Sequence, residues 1–113
     1  MDLLEGDTLA SIVADAGADL DQVVVVESES EVRYRRDQTV FAVVHGDTLE
    51  VELGPEIAAA AQRTPDTTLS AMGEGWVTFS PRSLDGQIVD RVSAWVTMAW
   101  KRAGAPPSGP QQG

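Results

Sequence analysis

At 113 residues, with no cysteine and a formal net charge of −10, the chain has room for one domain around a single core and excludes disulfides, thiolate chemistry and cysteine-based zinc sites. No run approaches the roughly 20 apolar residues of a membrane helix, and "MDLLEGD" is acidic where a secretory leader is basic, so the sequence reads as cytoplasmic and without membrane contact. Asp2, Glu5, Asp7, Asp15, Asp19, Asp21, Glu27, Glu29 and Glu31 all precede the first cation, Arg33, a field that favours solubility and disfavours nucleic acid as a partner, without removing what a local basic patch could do.

Leu9, Ile12, Val13 and Ala16 fall at helical spacing, with Asp7 or Thr8 as N-cap and Gly17 as a stop, which predicts an amphipathic helix over 8–16. "VVVVESESEVRYRR" follows a period of two. Val24, Val26, Val32 and Tyr34 fall on one side and Glu27, Glu29, Glu31, Arg33 and Arg35 on the other. It reads as one extended ribbon, or as two short strands kinked near Ser28 to Ser30. "VFAVV" is apolar at every position and reads as a central strand, "HGD" as a tight turn, and "TLEVEL" as a strand with Leu49, Val51 and Leu53 inward. Glu50 and Glu52 then share the outer face with Arg33 and Arg35, so cross-strand ion pairs would account for the arginines as scaffold.

Pro55 and Glu56 open a second, alanine-rich helix expected to lie flat on the sheet, and Thr64 before Pro65 ends it. Residues 64–75 read as a polar, glycine-bearing loop, and "WVTF" as one further strand. Ile88, Val89, Val92, Trp95, Val96 and Ala99 make the strongest helical stripe, with Ser83 or Asp85 as cap, Lys101 and Arg102 in the last turn and Gly104 as the stop. The fold class is α+β: a three-stranded antiparallel meander plus a fourth strand, packed on one face by helices, in the order α-β-β-β-α-β-α. Residues 1–103 form the domain, and 104–113 form a disordered Pro/Gly/Gln tail.

Few residues carry chemistry. His45, the sole histidine, sits in a hairpin turn, where a surface role is expected. A Ser-His-Asp arrangement would need Ser70 or Ser80 to fold against it, and no nucleophile elbow is present. Asp47 and Glu50 are close to His45 in sequence but alternate in facing, which argues against a metal site there. The glycines of "MGEGW" and "LDG" do not make a phosphate-binding loop. No catalytic residue, cofactor or metal is therefore assigned. Among the tryptophans, Trp95 belongs to the core stripe. Trp100 lies at its margin and Trp76 at the junction of loop and strand, so these two are the expected partner-binding aromatics.

The order from "VFAVV" through "LEVELGPEIAAAAQRTP" to "GWVTFSP" and the closing helix resembles the MmcQ/YjbR-like family over about residues 32–102. The resemblance rests on Phe41 and Ala42 in the middle strand, on Pro55 and Glu56 at a helix start, and on Trp76 opening the last strand. It implies a cytoplasmic double-wing fold and DNA as a partner. The chain departs from the family at "SAMGEGW", where Glu74 stands in place of basic residues and a histidine, so phosphate contacts would fall to Arg33, Arg35 and Arg36 on a wing. Three expectations follow: a non-enzymatic binding or regulatory domain that meets a protein, or its own copy as a homodimer, through Trp76 and Trp100; a DNA-binding protein using the arginines; or an acidic, secretion-chaperone-like module holding a basic client.

Overall fold

The computed structural model describes residues 8–104. Thr8 caps the first helix, α1 (Leu9–Ala18), through a reciprocal pair of hydrogen bonds with Ser11. Gly17 is not the stop expected of it. It lies inside the helix, buried, and a Cβ there would stand 3.4 Å from the Tyr34 ring, so the residue sets how closely helix and sheet approach.

The valine-to-arginine run is a hairpin of two strands, β1 (Val23–Glu27) and β2 (Val32–Arg36), closed where the Ser28 N–H donates to the Glu31 carbonyl at 2.9 Å. The reversal changes which residues share a face. Val25 stands opposite Tyr34 and Val26 opposite Arg33, and directly opposed residues point the same way. Val24 and Val26 therefore share the outer face with Arg33 and Arg35, whereas Val23, Val25 and Glu27 share the inner face with Val32 and Tyr34. The uninterrupted alternation read from the sequence, with Glu27 beside Arg33, is corrected by the turn between them.

β3 (Thr39–His45), β4 (Thr48–Glu52), α2 (Pro55–Ala61), β5 (Thr67–Leu69), β6 (Trp76–Phe79) and α3 (Gly86–Gly104) complete the chain. The sheet is antiparallel and six-stranded, in the order β1-β2-β3-β4-β6-β5. The meander thus has four strands instead of three, and the polar segment 64–75 contributes an edge strand of its own. The class remains α+β. The strand β5 escapes pattern reading because Thr67, Thr68 and Leu69 are too few to show alternation.

The register of β2 on β3 shifts between Tyr34 and Arg35, so Phe41 is the extra residue of a bulge, and Phe41 and Ala42 are both fully buried. One core cluster joins Leu9, Ile12 and Val13 of α1, Ala58 and Ala61 of α2, and Val92, Trp95, Val96 and Ala99 of α3 to the inner strand residues Tyr34, Ala42, Val44, Leu49, Val51, Val77 and Phe79. The Phe79 and Trp95 rings meet edge to face at 5.3 Å. Asp85, one of the two expected caps, accepts from the Ile88 N–H at 3.0 Å. Gly104 closes α3, and the tail assigned to 104–113 otherwise lies outside the described residues, as do residues 1–7. Among the described residues no helix is long and apolar enough to cross a membrane.

Candidate docking surface

Three places could host function: a polar cluster on the outer face of the sheet, the aromatic and basic residues at the end of α3, and the free edge at β1. In the first, Glu50 is the hub. Its carboxylate accepts from Ser70 Oγ, from Thr78 Oγ1 at 2.7 Å and from His45 Nε2 at 3.0 Å. Burial pushes its pKa up, but the hydrogen bonds from Ser70, Thr78 and His45 outweigh that and hold it below the usual glutamate value. A glutamate that accepts from both serine and histidine stands in the wrong place for nucleophile activation, which needs the imidazole in the middle. No group of three or more His, Asp or Glu suited to a metal occurs among the described residues. The cluster ties β3, β4, β6 and the segment after β5 together.

Arg33, Arg35 and Arg36 do not form one patch, because alternation divides them. Arg33 is exposed on the outer face and pairs with Glu31. The expected pairs of Arg33 and Arg35 with Glu50 and Glu52 are absent because β3 lies between β2 and β4, which puts the partners two strand spacings, roughly 9–10 Å, apart. Glu52 pairs instead with Arg102 at 3.2 Å. Arg35 is partly buried, and its Nε has no hydrogen-bond partner among the described residues. Arg36 turns inward, lies over the Trp100 ring at 4.0 Å and donates to the Trp100 carbonyl at 3.0 Å. Trp100 donates from Nε1 to the Asp21 carbonyl at 2.8 Å and packs against the core. That tryptophan is an internal anchor. Trp76, half-buried opposite Glu52 on the outer face, is not brought together with it.

The third place was not singled out in the sequence. Val24, Val25 and Val26 are 41%, 48% and 45% exposed, and they lie on a strand whose far side has no neighbour in the sheet among the described residues. Under the inner face of that strand a cavity of about 440 Å³ opens, lined by Ala14, Gly17 and Ala18 of α1, by Leu20, and by Val25, Glu27 and Tyr34 of the hairpin. Ala14 and Ala18 are small, so α1 leaves the groove unfilled. The Tyr34 hydroxyl is held neutral to a higher pH than usual, first by burial and then by the neighbouring Glu27 charge. A second apolar corner, with Ile57, Leu69 and Met72 exposed, lies at the opposite edge by β5.

No protein-family model and no curated protein matches the chain. A crystal structure of a protein from Pseudomonas syringae, determined by the Northeast Structural Genomics Consortium, is similar with a TM-score of 0.62 at 10% identity, over 86% of this chain and 99% of that one. At that identity the likeness concerns the fold alone.

Proposed function

We propose that this is a non-enzymatic protein-binding domain whose docking surface is the β1 edge with the groove beneath it. The observation that carries the reading is the exposure of three consecutive valines on an edge strand that is paired on one side only among the described residues. Folded domains normally blunt such an edge with lysine, proline, a bulge or a covering element, and valines half in water are stabilised when a partner covers them. The same surface would serve the acidic chaperone-like role, in which the partner is a client held for a time. Nucleic acid draws less support, since of the three arginines expected to meet phosphates Arg33 is engaged by Glu31 and Arg36 by Trp100, which leaves Arg35 alone. A metabolic enzyme draws less still, because Glu50 is engaged from three sides on the outer face of the sheet.

The test is site-specific photo-cross-linking in cells, with the reactive group placed at position 26 and, as a control, at position 76. Cross-links at position 26 that disappear in Val25→Lys are expected. Adducts formed equally well at position 76 and indifferent to Val25→Lys would sink the reading.

A further inference from the structure

We infer that the partner of β1 is a cationic extended segment of another protein, which adds as a seventh strand and sets alternate apolar side chains into the groove under Val25. The inference rests on the docking reading above and adds the chemistry of what docks.

The first step is the shape of the vacancy. An added strand hydrogen-bonds along β1, and its side chains alternate between the two faces of the extended sheet. On the inner face they would meet the groove floored by Ala14, Ala18, Leu20 and Tyr34. At about 440 Å³ it has room for one or two branched or aromatic side chains. On the outer face they would lie beside Val24 and Val26, which are otherwise open to water.

The second step is charge, which separates a second copy of the chain from a different protein. β1 is bounded by a turn before it at Asp21 and Gln22 and by the hairpin reversal after it at Ser28 to Glu31. An antiparallel pair of two β1 strands would set the Asp21 end of each copy beside the Glu27-to-Glu31 end of the other, twice by the two-fold symmetry, and like charges brought together are destabilising. The total charge of −10 on each copy adds long-range repulsion. The same acids attract a strand that carries lysine or arginine on either side of its apolar centre. They screen out self-pairing and recruit a cationic partner by one arrangement of charge. The remainder of the chain does not have that chemistry: residues 1–7 are acidic, and residues 105–113 are rich in proline, which cannot donate to a ladder.

The experiment titrates the full chain against a labelled, end-blocked peptide, Lys-Val-Thr-Val-Lys-Val-Arg, by fluorescence anisotropy, with amide exchange read in parallel. Two control peptides carry glutamate in place of each cation, or N-methyl groups on alternate amides. Expected are binding that weakens with added salt, slowed exchange at Val23–Glu27 and at least a tenfold loss of affinity for each control. Val25→Lys and Val26→Lys, both at half-exposed positions that leave the core intact, should each abolish the exchange protection. If the acidic peptide binds equally well with β1 still protected, the cationic partner is wrong while β1 docking stands. If the N-methylated peptide binds equally well, strand addition is wrong. If no probe protects β1, or protection falls at the Leu69 corner, both the inference and the docking reading fail.

Discussion

Glu50 shows how a single side chain can look functional and yet hold the fold together. Its folded-state pKa is depressed, so its contribution to stability is present above the unfolded glutamate value of about 4.3 and is lost as pH falls through the lower folded value. Glu50→Gln keeps the shape but loses the charge-assisted bonds from Ser70, Thr78 and His45. It should lower stability by about 1 kcal/mol at pH 7, with the gap to the parent protein closing as the solution is acidified. Urea unfolding at pH 7, 5 and 3.5 checks this, and a gap that widens in acid would contradict the assignment. Tyr34 gives the opposite sign. It is the only tyrosine, so absorbance at the phenolate band reads one group. With its pKa raised, the associated stability is present below about pH 10 and lost as pH rises through the folded value. The phenolate should therefore form at a pH above that of free tyrosine, and abruptly if unfolding releases it. A midpoint at or below 10 would show the ring to be solvated.

At the level of elements, the end of α3 is fixed by charge and aromatic contact more than by its glycine stop. Arg36 stacks on Trp100 and donates to the Trp100 carbonyl near the negative end of the helix. Arg36→Ala should destabilise by about 1–2 kcal/mol, whereas Arg33→Ala, which breaks an exposed pair, should change stability by less than about 0.5 kcal/mol. Chemical denaturation of both variants separates the two roles of neighbouring arginines. The sequence made the helices legible because their stripes are long and their caps local, as with Thr8 before Leu9 and Asp85 before Ile88. It made the central strands legible because β3 and β4 bury consecutive or alternating large residues. The hairpin was harder. Its period of two runs unbroken through Ser28 to Glu31, and only the turn that joins β1 to β2 reverses the facing of Glu27 relative to Arg33. Which arginine meets Trp100, and the separation of Arg33 from Glu50 by β3, depend on strand order, a long-range property that local periodicity does not contain. The exposure of Val24, Val25 and Val26 was illegible for the same reason, because four valines in a row do not say whether the sheet continues beyond them.

For the molecule as a whole, net charge and the unpaired edge belong to one problem. A sheet that ends in exposed valine risks edge-to-edge association, and this chain carries neither lysine nor proline in β1 to prevent it. The acids on either side of the strand take that part: Asp21 on one side, Glu27, Glu29 and Glu31 on the other. Neutralising Asp21→Asn, Glu27→Gln and Glu29→Gln together should leave the core undisturbed, since these side chains lie outside it. It should also permit β1 to pair with β1 of a second copy. Light scattering on a sizing column should show concentration-dependent association of the triple variant at physiological salt, removed by adding Val25→Lys and untouched by Leu69→Lys at the far edge. In the parent protein Val25→Lys should leave the oligomeric state as it is, as the proposed heterologous partner for β1 requires. Association of the triple variant that survives Val25→Lys but yields to Leu69→Lys would move the self-contact to the β5 corner. The flanking carboxylates would then serve solubility alone.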